Sequence, residues 1–109
     1  MAVVKEYIKE DDPAYGNLFL VRGSIDFQAG NFSLARAQVE KARNSFLPIF
    51  GKKHPYNART LVELSNINRK IGKFDIALEE INQAVEIFED RFGDSHPFVA
   101  EALEVLGKI

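Results

Sequence analysis

The chain has 109 residues, 46% hydrophobic and 28% charged, with a formal net charge of −2, two histidines and no cysteine. That length suits one domain with a continuous core, and the composition excludes a disordered chain. The charge gives no general attraction to nucleic acid, absent thiols exclude disulfide and thiolate–zinc frameworks, and no apolar run suits a signal peptide or a membrane span.

The first predicted element is a helix over 2–9, carrying Val4 and Ile8 one turn apart. Pro13 suits the opening turn of a second helix, 14–29, because a missing N–H costs nothing there. Gly30 follows directly, as a C-cap glycine should, and Ser33 supplies an N-cap-type side chain for a third helix, 32–49. Pro48 is expected to kink or shorten that helix. A fourth helix, 56–71, begins at Pro55 and lines Ala58, Leu61, Leu64, Ile67 and Ile71 along one face. After Gly72, with Asp75 as the N-cap type, Phe74, Ala77, Leu78, Ile81, Ala84, Val85, Phe88 and Phe92 advance by three or four through a fifth helix, 74–92. A sixth, 97–109, opens at Pro97.

These elements repeat. Sliding 16–57 onto 58–99 gives ten identities in 42 positions, concentrated in Gly, Ala, Phe, His and Pro, the residues that set helix packing and helix ends. Asp12-Pro13, His54-Pro55 and His96-Pro97 fall at one register, and Leu103 and Leu106 repeat Leu61 and Leu64. The expected organisation is a single domain, 1–109: the end of a preceding repeat (1–12), repeat one (13–54), repeat two (55–96) and the first helix of a partial third (97–109). Both histidines precede a helix-starting Pro one repeat apart, roughly 10 Å if the layers stack as packed helices do, which is too far to share a metal ion. Asp12, the equivalent residue in the first copy, is an N-cap type, so a loop-and-cap role is expected of His54 and His96.

A helix pair with Gly-x-Phe between the helices and alanines at Ala77 and Ala84 resembles the tetratricopeptide repeat. The period, with the Gly-x-x-His-Pro-x-x-Ala linker at 51–58 and 93–100, looks like the kinesin light chain subtype. The resemblance implies an all-α, right-handed α-solenoid of antiparallel helix pairs, with about six helices. It also implies a non-catalytic interaction scaffold whose first helices line a concave, peptide-binding groove. Carried over by register, the groove positions are Asn17, Leu20, Ser24 and Phe27; then Arg59, Val62, Asn66 and Arg69 with Lys70 and Glu63 flanking; then Glu101, Glu104 and Lys108. Val62-Glu63 and Glu104-Val105 stand where kinesin light chains carry asparagine pairs. Leu20 and Glu104 stand where a carboxylate clamp would want lysines.

Leu20, Phe27 and Val62 beside Arg59, Arg69 and Lys70 suit a peptide or protein partner with acidic and apolar residues. No nucleic acid, membrane, metal or cofactor is expected as a partner, and the setting is cytoplasmic. There is no phosphate loop, nucleophile elbow or ligand cluster, so no enzyme is expected. The acidic run Glu79, Glu80, Glu86, Glu89 and Asp90 reads as a solvated outer face. Arg22 takes the register of Leu64 and Leu106, and either pairs with Asp26 or meets solvent. The alternative function is assembly through uncovered ends, within a longer array or as a homo-oligomer with another copy: Val3, Val4, Tyr7 and Ile8 at one side, and Val99, Leu103, Val105 and Ile109 at the other.

Overall fold

The computed structural model describes residues 12–109. Its described residues form five α-helices and no strand: α1 (Pro13–Gln28), α2 (Phe32–Phe50), α3 (Pro55–Ile71), α4 (Phe74–Phe92) and α5 (Pro97–Lys108). The helix expected over 2–9, with the apolar residues placed on it, lies outside the described residues.

Three helices begin in the same way. Asp12 Oδ1 accepts the N–H of Ala14 at 2.8 Å, His54 Nδ1 that of Tyr56 at 3.1 Å, and His96 Nδ1 that of Phe98 at 3.1 Å. Each acceptor satisfies a helix-end donor that would otherwise lack an intrahelical partner. Each imidazole also stacks on the phenylalanine four residues before it, Phe50 at 4.4 Å and Phe92 at 4.3 Å between centroids. The His-Pro pairs are therefore helix caps held in aromatic boxes, completed by Tyr56 and Phe98.

Two details differ from the sequence reading. The N-cap positions of α2 and α4 are Asn31 and Lys73, neither with a side-chain cap bond. Ser33 and Asp75 sit inside the first turn, where Asp75 acts through the positive helix end. Pro48 does not shorten α2, which runs to Phe50 and matches α4 at 19 residues. The proline withdraws one donor from the last turns, while buried Phe46 and the packing of Phe50 on His54 and Tyr56 hold the end in place. Beyond α2 and α4, Gly51 and Gly93 adopt φ 84°, ψ 170° and φ 83°, ψ 167°, a region in which a side chain is strained.

Consecutive helices pack on one another, and α3 also touches both α1 and α5. Between α2 and α4 no pair of Cα atoms comes within 8 Å. First helices thus form a continuous inner layer, and second helices stand apart on the outer one. One core cluster joins Phe19, Leu20, Ala35, Val39, Ala42, Phe46, Leu64 and Ile67; the next joins Ala58, Leu61, Val62, Ile81, Ala84, Phe88, Val99, Ala102 and Val105. Each large buried side chain contributes about 1.5–3 kcal/mol, so this shared packing dominates the fold.

Because α3 is packed on both sides, it also buries polar residues; each makes a side-chain hydrogen bond, although Asn68 Oδ1 is buried without one. Thr60 Oγ1 donates to Asn57 O and Ser65 Oγ to Ala77 O, both at 2.7 Å. Asn57 Nδ2 donates to Lys52 O at 2.7 Å, and its Oδ1 accepts from Arg43 Nε at 3.2 Å. Asn68 Nδ2 donates to Glu80 Oε1 at 2.7 Å. Glu80, expected on the solvated outer face, is consequently drawn half under, and burial raises its pKa despite the Asn68 hydrogen bond and the neighbouring Arg43 and Arg36.

Candidate functional site

Among the described residues, two depressions related by the repeat lie along the inner layer. The first, about 270 Å³, lies between α1 and α3 and is lined by Asn17, Leu20, Val21, Ser24 and Ile25 against Arg59 and Glu63. The second, about 100 Å³, is lined by Arg59, Val62 and Glu63 of α3, Phe88 of α4, and Phe98 and Glu101 of α5. Asn17, Leu20, Val21 and Arg59 in the first correspond to Arg59, Val62, Glu63 and Glu101 in the second, each pair one period apart. Arg59 and Glu63, one turn apart on α3, belong to both depressions.

Geometry gives the sequence-derived groove residues different parts. Leu20 and Val62 are 7% and 6% exposed, so they form floors and leave little apolar surface for contact. Asn17, Ser24, Arg59 and Glu101 are exposed on the walls. Phe27 is half-buried with its ring against Phe32, 5.5 Å between centroids. Asn66 and Arg69 are also half-buried; Arg69 Nη2 makes a long 3.5 Å contact with Asn66 Oδ1, and its Nε is shut off from solvent. Lys70, Glu104 and Lys108 are exposed but line neither depression.

The exposed apolar wall comes instead from Val21 and Ile25, 57% and 62% exposed and four residues apart on α1. Sequence reasoning missed both. The available signal was the pairing of Val21 with Glu63, an apolar residue at a register where the next repeat is charged. Glu63 is half-buried and, among the described residues, makes neither a hydrogen bond nor a salt bridge. Burial raises its pKa most; Arg59 pulls it down and Glu101 pushes it further up. The charges lining the depressions are thus one cation against two carboxylates: of the basic groups expected in the mixed groove, Arg59 borders both depressions and Arg69 and Lys70 border neither.

A larger cleft, about 590 Å³, opens where α2 and α4 diverge, lined among others by Arg43, Lys52, Lys53, Glu86, Asp90 and Arg91. Arg22 is half-buried with its guanidinium 5.6 Å from the centre of the Phe19 ring, a cation–π arrangement that Lys41 shares at 5.5 Å. At the other end of the chain Val99 and Val105 are buried against α3 and α4, contrary to expectation, whereas Leu103 is 47% exposed. Among the described residues no helix is long and apolar enough to cross a membrane, and no three His, Asp or Glu side chains gather as a metal site. A family model described as the tetratricopeptide repeat matches residues 15–90. A search of curated proteins finds no match to the chain.

Proposed function

The chain belongs to the tetratricopeptide repeat family, which in general supplies protein–protein interaction scaffolds, and we propose that its inner layer binds a peptide segment of a partner protein. The observation that carries this reading is the pair of repeat-related depressions along α1, α3 and α5. A recurring unit offers an extended segment similar contacts at regular spacing, and rigid helices present them without ordering cost. The scaffold is non-catalytic, of the kinesin light chain-like subtype on its 42-residue period, and cytoplasmic. A photo-crosslinking residue at exposed Ser24, compared with one at exposed Glu79 on α4, tests the surface. Partner segments should be trapped from Ser24 and not from Glu79; trapping only from Glu79 refutes the inner-layer site.

One observation favours assembly as a second reading. Leu103, 47% exposed on α5, takes the register of Leu61, which is 1% exposed beneath α4. Another helix seated there would bury it. Sedimentation equilibrium should then show an associating chain that Leu103→Glu renders monomeric; a monomer at high concentration removes this reading.

A further inference from the structure

We propose that the segment received by the inner groove is basic and apolar, pairing a Lys or Arg with the Glu63–Glu101 site and an apolar side chain with the Leu20–Val21–Ile25 wall. The inference rests on the groove reading above and specifies its partner. On the α1 side the wall is uncharged: Asn17, Ser24 and the exposed aliphatic pair Val21 and Ile25 over buried Leu20. On the α3–α5 side the lining carries Arg59 against Glu63 and Glu101. Glu63 is the decisive group. It is a half-buried carboxylate that has lost part of its hydration and, among the described residues, gains no hydrogen bond or salt bridge in return. An acidic ligand side chain would add a third carboxylate to that surface. A ligand cation would supply the charge-assisted hydrogen bond that Glu63 lacks.

The geometry also sets a spacing. Neighbouring first helices touch, so equivalent points on successive repeats lie roughly 10 Å apart. A ligand in the polyproline II conformation advances about 3.1 Å per residue and returns to the same face every third residue, so its apolar and cationic residues stand about three positions apart. The larger depression, about 270 Å³, has room for an aliphatic side chain; the smaller, about 100 Å³, suits the narrow end of a Lys or Arg.

The test is to pan a random dodecapeptide library against the full chain and map the enriched peptides by amide chemical-shift perturbation. The expected consensus has Lys or Arg about three residues from Leu, Ile, Val or Phe, with shifts centred on Val21, Ile25, Glu63 and Glu101. Glu63→Gln with Glu101→Gln should weaken those peptides about tenfold, while Val21→Ser with Ile25→Ser, both at exposed positions, should weaken them without loss of helicity. Acidic peptides mapping to the same depressions overturn the proposed charge preference and leave the groove reading standing. Peptides mapping elsewhere, or no enrichment, overturn both.

Discussion

Gly23 lies on α1 where an intrinsic and a packing effect have opposite signs, so replacing it with Ala gives an unambiguous result. A methyl in place of hydrogen raises intrinsic helix propensity, which by itself stabilises by about 1 kcal/mol. Its Cβ, however, would lie 2.6 Å from Val39 Cγ2 and 3.3 Å from the Ala35 carbonyl oxygen. Val39 is fully buried and β-branched, with a side chain held close to one rotamer in a helix, so it cannot swing aside. Overpacking of this kind costs about 1–3 kcal/mol, and we expect a net loss of about 1 kcal/mol. The equivalent residue of the next repeat, Ser65, carries a Cβ and uses its hydroxyl to reach Ala77 O at 2.7 Å. That pair of helices is therefore spaced to accept a side chain, whereas α1 has settled closer to α2. Urea denaturation of Gly23→Ala, Val39→Ala and the double variant measures the coupling. Val39→Ala alone should cost about 2 kcal/mol through its cavity, and the double variant should recover about 1 kcal/mol of the summed losses. Stabilisation by Gly23→Ala alone, or strict additivity, would refute the close-packing argument.

Further expectations concern the caps, the buried acid and the linkers. His54 serves as a neutral acceptor, and burial first, then the charge of Arg91, lowers its pKa below the ordinary 6.5. Its contribution is therefore complete above the unfolded value and is lost as pH falls through the folded one. Urea midpoints should accordingly decline below about pH 6.5, and His54→Asn, which keeps a cap without titrating, should flatten that decline; an unchanged slope counts against it. His54→Ala should cost about 1 kcal/mol at neutral pH by the same measurement. Because burial raises the pKa of Glu80, its contribution is complete below the unfolded value and lost as pH rises through the folded one. Glu80→Gln should therefore hold or raise the thermal midpoint at neutral pH, whereas Asn68→Ala, which strips that carboxylate of its donor, should lower stability by about 1.5 kcal/mol. Gly51→Ala and Gly93→Ala face open space, so calorimetry should show only a conformational penalty, on the order of 1–3 kcal/mol each.

The chain's helical character and its repeat were legible without coordinates, because both arise from local chemistry. A 3.6-residue period marks helices, Pro fixes where α1, α3 and α5 begin, and Asp12, His54 and His96 cap those three through neighbours two residues away. Residues facing inward, outward or into the groove depended on contacts far apart in sequence. Periodicity identifies one apolar face, but a solenoid helix is touched from two or three directions, so Leu78 on that face is 41% exposed while Thr60 and Ser65 off it are fully buried. Leu20 and Val62 sank to the floors and Val21 and Ile25 became the apolar wall, for the same reason that α3 approaches both α1 and α5 while α2 and α4 stay apart. That choice of inner layer is made by helix packing across repeats, to which no single stretch of sequence refers. It decided which charges, Glu63 and Glu101 rather than Arg69 and Lys70, border the candidate site.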